Sequence, residues 1–431
     1  MALGDIGQNI VASEYVIPVF LATIFAAAVL SSKSKVPYTM MLVGVGILIS
    51  LMSFSNLNIA GKFKIDPTLV IGFIIPPLIF EAMMKVKYEE FKKIRISALL
   101  LATLGVILAT IIGGYLLIYF AHLPFITAFA FSALIAPTDA AIVIEIFKRI
   151  PVPRLLATLM ESEASFNDAT GVIAFSSVIA LGVGAGILPM GQLGSSLGFA
   201  GPEKFDLLGV AINFSVVFLG GAGVGLAVSA GAEKLHALMD EPLSETALTI
   251  ATVFGSVALA NALGVSGLVA VAVAGLYFGN VTIKRENLIS ERTKNAAFYF
   301  WEIIAFFANS AAFLYLGSTM DVVKISQNLW IIGIALGSVL AARAASVYPI
   351  LAVTSKFAKE KIPLMWRNVV VLGGMRGAIS VALAASLPEG DLKNTIGTIT
   401  FGVVLSSLII QFVLLSAYVK RTFAKGVITE I

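Results

Sequence analysis

Thirteen stretches of this chain are apolar enough to cross a bilayer, and they decide what it can fold into. A span needs about 20 apolar residues to cover roughly 30 Å of hydrocarbon. Inside lipid the backbone finds no water to bond, so such segments satisfy their own N–H and C=O groups as helices. The first seven are Glu14–Ser32, Val36–Asn56, Thr68–Met84, Ser97–Phe120, Phe125–Phe147, Leu155–Leu181 and Leu207–Ala230. The rest are Thr246–Leu263, Ser266–Val281, Ala296–Gly317, Leu329–Val353, Trp366–Ser386 and Ile396–Val419. The eighth and ninth share one apolar run interrupted at Asn261–Gly267. Composition agrees: 58% of the 431 residues are apolar and 13% are charged. A soluble domain carries about 25% charged residues, and its surface grows too fast with mass to hide this much apolar side chain. The expected fold is an all-α polytopic membrane protein. A soluble enzyme, a nucleic-acid binder and a disordered chain are excluded.

Basic residues orient the spans. With the N-terminus outside, 22 Lys and Arg fall on the cytoplasmic side, the largest cluster being Lys85, Lys87, Lys92, Lys93 and Arg95. Five fall outside: Lys62, Lys64, Lys204, Lys324 and Lys393. That bias follows the positive-inside rule and predicts an outer N-terminus and a cytoplasmic C-terminus in the cell membrane. Asp5 and Glu14, with no basic residue before the first apolar run, do not make the basic start of a cleavable signal. No connection is long enough for a separate regulatory domain; the longest outer one, about Gly182–Asp206, is glycine-rich. With no cysteine and only His122 and His236, both expected in loops, disulfides, thiolate metal sites and histidine metal clusters are excluded, and no cofactor is expected.

Ionisable residues at bilayer depth are costly and point to function. They are Glu81 in span three, Asp139 and, near the end, Glu145 in span five, Glu161, Glu163 and Asp168 in span six, Glu302 in span ten, Arg343 in eleven and Arg376 in twelve. Carboxylates outnumber cations and gather on spans three, five and six, which favours a cation path. Asp139 lies roughly 12 Å and Asp168 roughly 20 Å from the cytoplasmic end of their helices, at 1.5 Å per residue. Local unwinding closes that gap, and Pro137 in Ala136-Pro137-Thr138-Asp139 supplies a cause. Span twelve carries a counterpart, Gly373-Gly374-Met375-Arg376-Gly377. Both are next-to-last in a set of six spans once span seven is taken as a linker, and paired interruptions of this kind mark transporter sites. Within span six, Asp168 shares a face with Glu161, Ala164 and Ser165, while Glu163 and Asn167 share a neighbouring one. Glu163 and Arg343 match in depth, at roughly 12 and 15 Å, and are expected to form a structural ion pair.

Four segments carry a resemblance to a known family: Pro76-Pro77-Leu78-Ile79-Phe80-Glu81, Ala136-Pro137-Thr138-Asp139, Phe166-Asn167-Asp168 and Gly373-Gly374-Met375-Arg376-Gly377. The chain resembles the sodium/proton antiporters of cation:proton antiporter family one, NhaP-like in the archaeal and bacterial branch. Phe300-Trp301-Glu302 to Gly317 is similar to the family's tenth span. The resemblance implies thirteen helices in two inverted six-helix repeats joined by a linker helix, with helices five and twelve crossing as unwound segments. It implies core transport bundles over residues 97–181 and 326–431, and dimer-interface bundles over 1–96 and 182–325, in a homodimer. By the same resemblance Asp168 binds the ion and the proton, and Thr138 and Asp139 are further Na⁺ ligands. Glu81 acts nearby, Arg376 balances the crossing-helix dipoles, and Asn167 and Ser165 join the site. Relatives commonly carry a serine where this chain has Ala164, which leaves Ser165 to compensate and bears on Na⁺, Li⁺ and K⁺ preference.

The expected activity is electroneutral exchange of Na⁺, with Li⁺ as a second candidate, for H⁺ at one carboxylate, with access alternating between the two sides. A K⁺/H⁺ antiporter and a sodium-coupled organic-solute carrier of related architecture are the alternatives. A cation channel lacks a filter ring, and an intramembrane hydrolase lacks a His-Glu-x-x-His motif.

Overall fold

A computed structural model describes residues 18, 20–34, 36–53, 69–184, 207–238, 241–283, 290–357 and 361–423. Among these residues the chain is nearly all helical and holds no strand. The first helices are α1 (Phe20–Lys33), α2 (Tyr38–Ser53), α3 (Ile75–Lys85) and α4 (Tyr88–Ala121). Next come α5 (Phe125–Ile135), α6 (Ala141–Arg149), α7 (Arg154–Gly184), α8 (Leu207–His236), α9 (Pro242–Ala262) and α10 (Gly267–Tyr277). The chain continues through α11 (Glu291–Ser318), α12 (Val322–Gln327), α13 (Leu329–Phe357), α14 (Leu364–Leu372), α15 (Ala378–Ala385) and α16 (Asp391–Phe423). Seven of these, α4, α7, α8, α9, α11, α13 and α16, are long and apolar enough to cross a membrane unbroken.

Large apolar side chains such as Leu219, Tyr299, Trp330 and Val413 stand exposed along the long helices. In water that surface would drive association; against hydrocarbon it is the favourable one. The helices with least outward surface are short. Ile126 to Ile135 of α5 and Ala378 to Ala384 of α15 are buried throughout. Helix α5 packs against α4, α7 and α16, and α15 against α5, α11 and α16.

Span limits differ from the sequence reading where a helix has an amphipathic start or end. The segment between spans three and four is not a loop: α4 begins at Tyr88, nine residues ahead of the apolar run. Phe91, Ile94 and Ala98 are buried at helical spacing while Lys92, Lys93 and Arg95 stay exposed, so one face packs and the other is solvated. His236 is also not in a loop. It is the last residue of α8 and buried, with Nδ1 3.4 Å from Glu245 Oε2 on α9. His122 does end a helix, in the left-handed conformation at φ 52° that closes α4. The interruption expected at Asn261–Gly267 is there. Gly264 takes φ 68°, which a side chain disfavours, and the Ser266 hydroxyl accepts the Val269 N–H to start α10. The glycine-rich connection at 185–206, the N-terminal residues 1–17, and Lys62, Lys64 and Lys204 lie outside the described residues.

Candidate functional site

Two helix breaks build the site. Ala136 keeps helical angles at φ −64°, and the chain leaves the helix at Pro137, which has no N–H to donate back along α5. It re-enters at Ala141. The second break runs from Gly373 to Gly377, between α14 and α15, where glycines make the helix unfavourable. The two breaks touch, since the Asp139 N–H donates to the Met375 carbonyl at 2.8 Å.

Arg376 spans the same junction. Its Nη1 donates to the Ala136 carbonyl and, at 3.0 Å, to the Pro137 carbonyl. Those are carbonyls at the C-terminal end of α5, where the helix dipole is negative and no intrahelical donor remains. The Arg376 N–H in turn donates to Ser407 Oγ of α16 at 3.4 Å. Nothing in the sequence singles out Ser407, one of three serines in an apolar helix. Arg376 is 1% exposed. Its charge is therefore committed to backbone oxygen.

Asn167 of α7 fastens the first break from the other side. Its Nδ2 donates to Thr138 Oγ1 at 2.8 Å, and its Oδ1 accepts the Thr138 N–H at 3.3 Å. Both ends of the amide are used on one residue, so Asn167 orients Thr138. Close packing adds to this: a methyl group at Gly171 would run into the Pro137 ring. Asp139 Oδ1 accepts the Ala141 N–H at 2.8 Å, which starts α6, and its Oδ2 lies over Gly377.

Asp168 lies one residue beyond Asn167 on α7, and Asp139 is the charged group that bears on it. Among the described residues its carboxylate accepts no hydrogen bond, and it is only partly covered. Glu163, five residues earlier, is its opposite. It is 0% exposed and held bidentate by Arg343, with Nη2 to Oε2 at 2.9 Å, and Arg343 also donates to the Val370 carbonyl at 3.2 Å. One carboxylate is neutralised in place. The other makes no ion pair among the described residues.

The remaining candidates stand further off. The Ser165 hydroxyl donates to the Glu161 carbonyl at 2.9 Å, within its own helix. Glu81 pairs with Lys85 one turn on, and Lys85 reaches Glu302 at 3.6 Å. On α7 the charged neighbour of Glu81 is Glu161, two turns from Asp168. A carboxylate in low dielectric is costly while charged, so a proton and a monovalent cation are alternative ways of relieving Asp168.

Residues 19–421 match the family described as sodium/hydrogen exchanger, transmembrane. The chain is similar to the Na(+)/H(+) antiporter ApNhaP of Aphanothece halophytica, 30% identical over 97% of this chain and 76% of that protein. It is 33% identical to the Na(+)/H(+) antiporter NhaP of Pseudomonas aeruginosa, over 82% of this chain and 80% of that one. The solved sodium proton antiporter MjNhaP1 from Methanocaldococcus jannaschii at pH 8 shares the fold at a TM-score of 0.75 and 20% identity, covering 96% of this chain and 99% of its own. With its family match running almost end to end, this chain belongs to the sodium/hydrogen exchanger family of transmembrane proteins.

Proposed function

We propose that the protein exchanges Na⁺ for H⁺ across the cell membrane, with Asp168 as the group that holds one or the other. The observation that carries this is the contrast on α7: Glu163 is sealed in a bidentate pair while Asp168 accepts no hydrogen bond among the described residues. Thr138 and Asp139 supply further oxygens to Na⁺, Asn167 sets Thr138, and Arg376 neutralises the α5 carbonyls. Glu81 acts from a distance, and Ser165 offers the hydroxyl that Ala164 lacks. Thirteen spans in two inverted repeats, N-terminus outside and C-terminus cytoplasmic, divide into core bundles at 97–181 and 326–431. The bundles at 1–96 and 182–325 form a homodimer, against which the core moves to alternate access.

The test is a pH-gradient dequenching assay in proteoliposomes with Na⁺, Li⁺ and K⁺ in turn. Na⁺-driven dequenching is expected. A response to K⁺ alone makes the protein a K⁺/H⁺ antiporter, and sodium flux driven by an organic solute makes it a carrier.

Exchange is expected to be electroneutral. Asn167 cannot titrate, and Glu163 is taken up in its bidentate pair with Arg343, so one proton leaves per cation bound. One elementary charge over 100 mV is worth about 2.3 kcal/mol, so any imbalance would show plainly. A potassium-diffusion potential without a pH gradient should move no protons in a Na⁺-dependent way. Flux that follows the sign of the voltage would show a second titrating group, with Asp139 the first suspect.

Gly377→Ala tests the ligand role of Asp139. The new Cβ would sit 2.7 Å from Asp139 Cβ and 2.8 Å from Cγ, and the carboxylate must swing away. Apparent Na⁺ affinity should fall about tenfold or more, since a displacement near 1 Å spoils a coordinated geometry. An unchanged affinity would place Asp139 outside the coordination shell.

A further inference from the structure

We propose that Glu145 is a positioning residue that fastens the moving core to the static bundle and thereby sets which face of the membrane Asp168 meets. This rests on the alternating-access reading above. Glu145 stands on α6, in the core stretch 97–181, and its partners stand on α2, in the static stretch 1–96. Its Oε1 accepts the Tyr38 N–H at 2.8 Å, and its Oε2 accepts the Thr39 hydroxyl at 3.4 Å. The Tyr38 N–H is one of the orphan donors at the start of a helix, where the dipole also favours a negative charge. A carboxylate from one bundle therefore caps a helix of the other.

Both sides of this contact are firmly held. Helix α6 packs against α7 and α16, and its Ile142, Val143, Ile146 and Phe147 are buried. The N–H of its first residue, Ala141, goes to Asp139, so the proposed ligand and Glu145 sit on one nine-residue rod. Arg149, one turn on, lies 3.5 Å from Glu145 Oε1. On the other side, α2 lies so close to α11 that a Cβ at Gly46 would come 2.6 Å from the Leu314 carbonyl oxygen. Tyr38 is pinned to the same helix, its hydroxyl 2.7 Å from Ser310 Oγ and its ring stacked on Phe306 at 5.2 Å. Neither partner can follow the other when the bundles move as rigid bodies, so the contact must part in one of the two states. It is fastened in this structure, and the structure is open to the cytoplasm. Glu81 and Glu161, on the cytoplasmic side of Asp168, are part-exposed with it, while Ala169 to Ile173, on its outer side, are buried. Glu145 thus favours the cytoplasm-open state.

The test measures Na⁺/H⁺ exchange from each face in oriented proteoliposomes, for wild type, Glu145→Gln and Glu145→Ala. Gln keeps an acceptor for the Tyr38 N–H and loses the charge; Ala loses both. As the cytoplasm-open state loses favour, the outward-open state gains population, and apparent affinity at each face follows the population that face can reach. Outer-face Na⁺ affinity should rise about tenfold in Glu145→Gln, the fold-change that a charge-assisted hydrogen bond adds over a neutral one, and further in Glu145→Ala. Cytoplasmic-face affinity should fall in the same order. Hydrogen exchange at the Tyr38 amide should accelerate in that order too. Affinities that move in the same direction on both faces, as lost stability would cause, overturn the proposal. So does an outer-face affinity that stays at the wild-type value. Wild-type protein that exchanges from neither face overturns the antiport reading instead.

Discussion

Asp168→Asn is expected to reduce Na⁺-dependent proton flux to that of protein-free liposomes while leaving the protein folded. The side chain keeps its size and loses the only property the cycle needs, a charge that a proton can cancel. Because the Asp168 carboxylate accepts no hydrogen bond among the described residues, no packing or bonding partner is stranded by the change. Thermal stability should hold or rise, since a charged group is removed from a low-dielectric site. Sustained Na⁺/H⁺ exchange by the purified variant would end the single-carboxylate mechanism. Asp139→Ala, by contrast, removes the acceptor that starts α6 as well as a proposed ligand, and a defect there would not separate the two.

Glu163→Gln should do the reverse, costing stability before activity. Arg343 is 3% exposed, and its carboxylate partner supplies two of its acceptors. Breaking a buried pair by removing one member costs about 3–5 kcal/mol, because the remaining charge has neither water nor a counterion. The Gln carbonyl would still accept one hydrogen bond and the Val370 carbonyl another, but the guanidinium would have no counter-charge. The thermal transition in detergent should therefore fall clearly. Glu163→Gln combined with Arg343→Gln should recover much of it, since two neutral groups can bond to each other. Simple additivity in the double-mutant cycle would mean that the two residues act independently.

Both predictions concern residues that stand out in the sequence, for a physical reason. A charge or a proline within twenty apolar residues costs so much that its presence announces a role. That contrast exposed Asp139, Pro137, Glu163, Asp168, Arg343 and the Gly373–Gly377 run, and depth counting alone paired Glu163 with Arg343. Contacts made by ordinary polar residues gave no such signal. Asn280 reads as a common helix-end residue, and its partners Val86 and Tyr88 are 194 and 192 positions away. The Tyr38 N–H donates to Glu145 at 2.8 Å across 107 positions, capping α2 with a side chain from α6. Periodicity also underestimated helices with one solvated face, which is why α4 starts nine residues early and α8 runs on to bury His236.

The bond from the Asp139 N–H to the Met375 carbonyl has a consequence for sidedness. It stitches the two interrupted segments into one piece, with Arg376 riveted across the same seam. On the proposed alternating-access cycle, a compartment stitched in this way is expected to travel whole, its walls unchanged between loading and discharge. The cargo then meets the same oxygens from either face of the membrane. Preference among Na⁺, Li⁺ and K⁺ should accordingly come out the same in right-side-out and inside-out vesicles, and only the rates of arrival should differ.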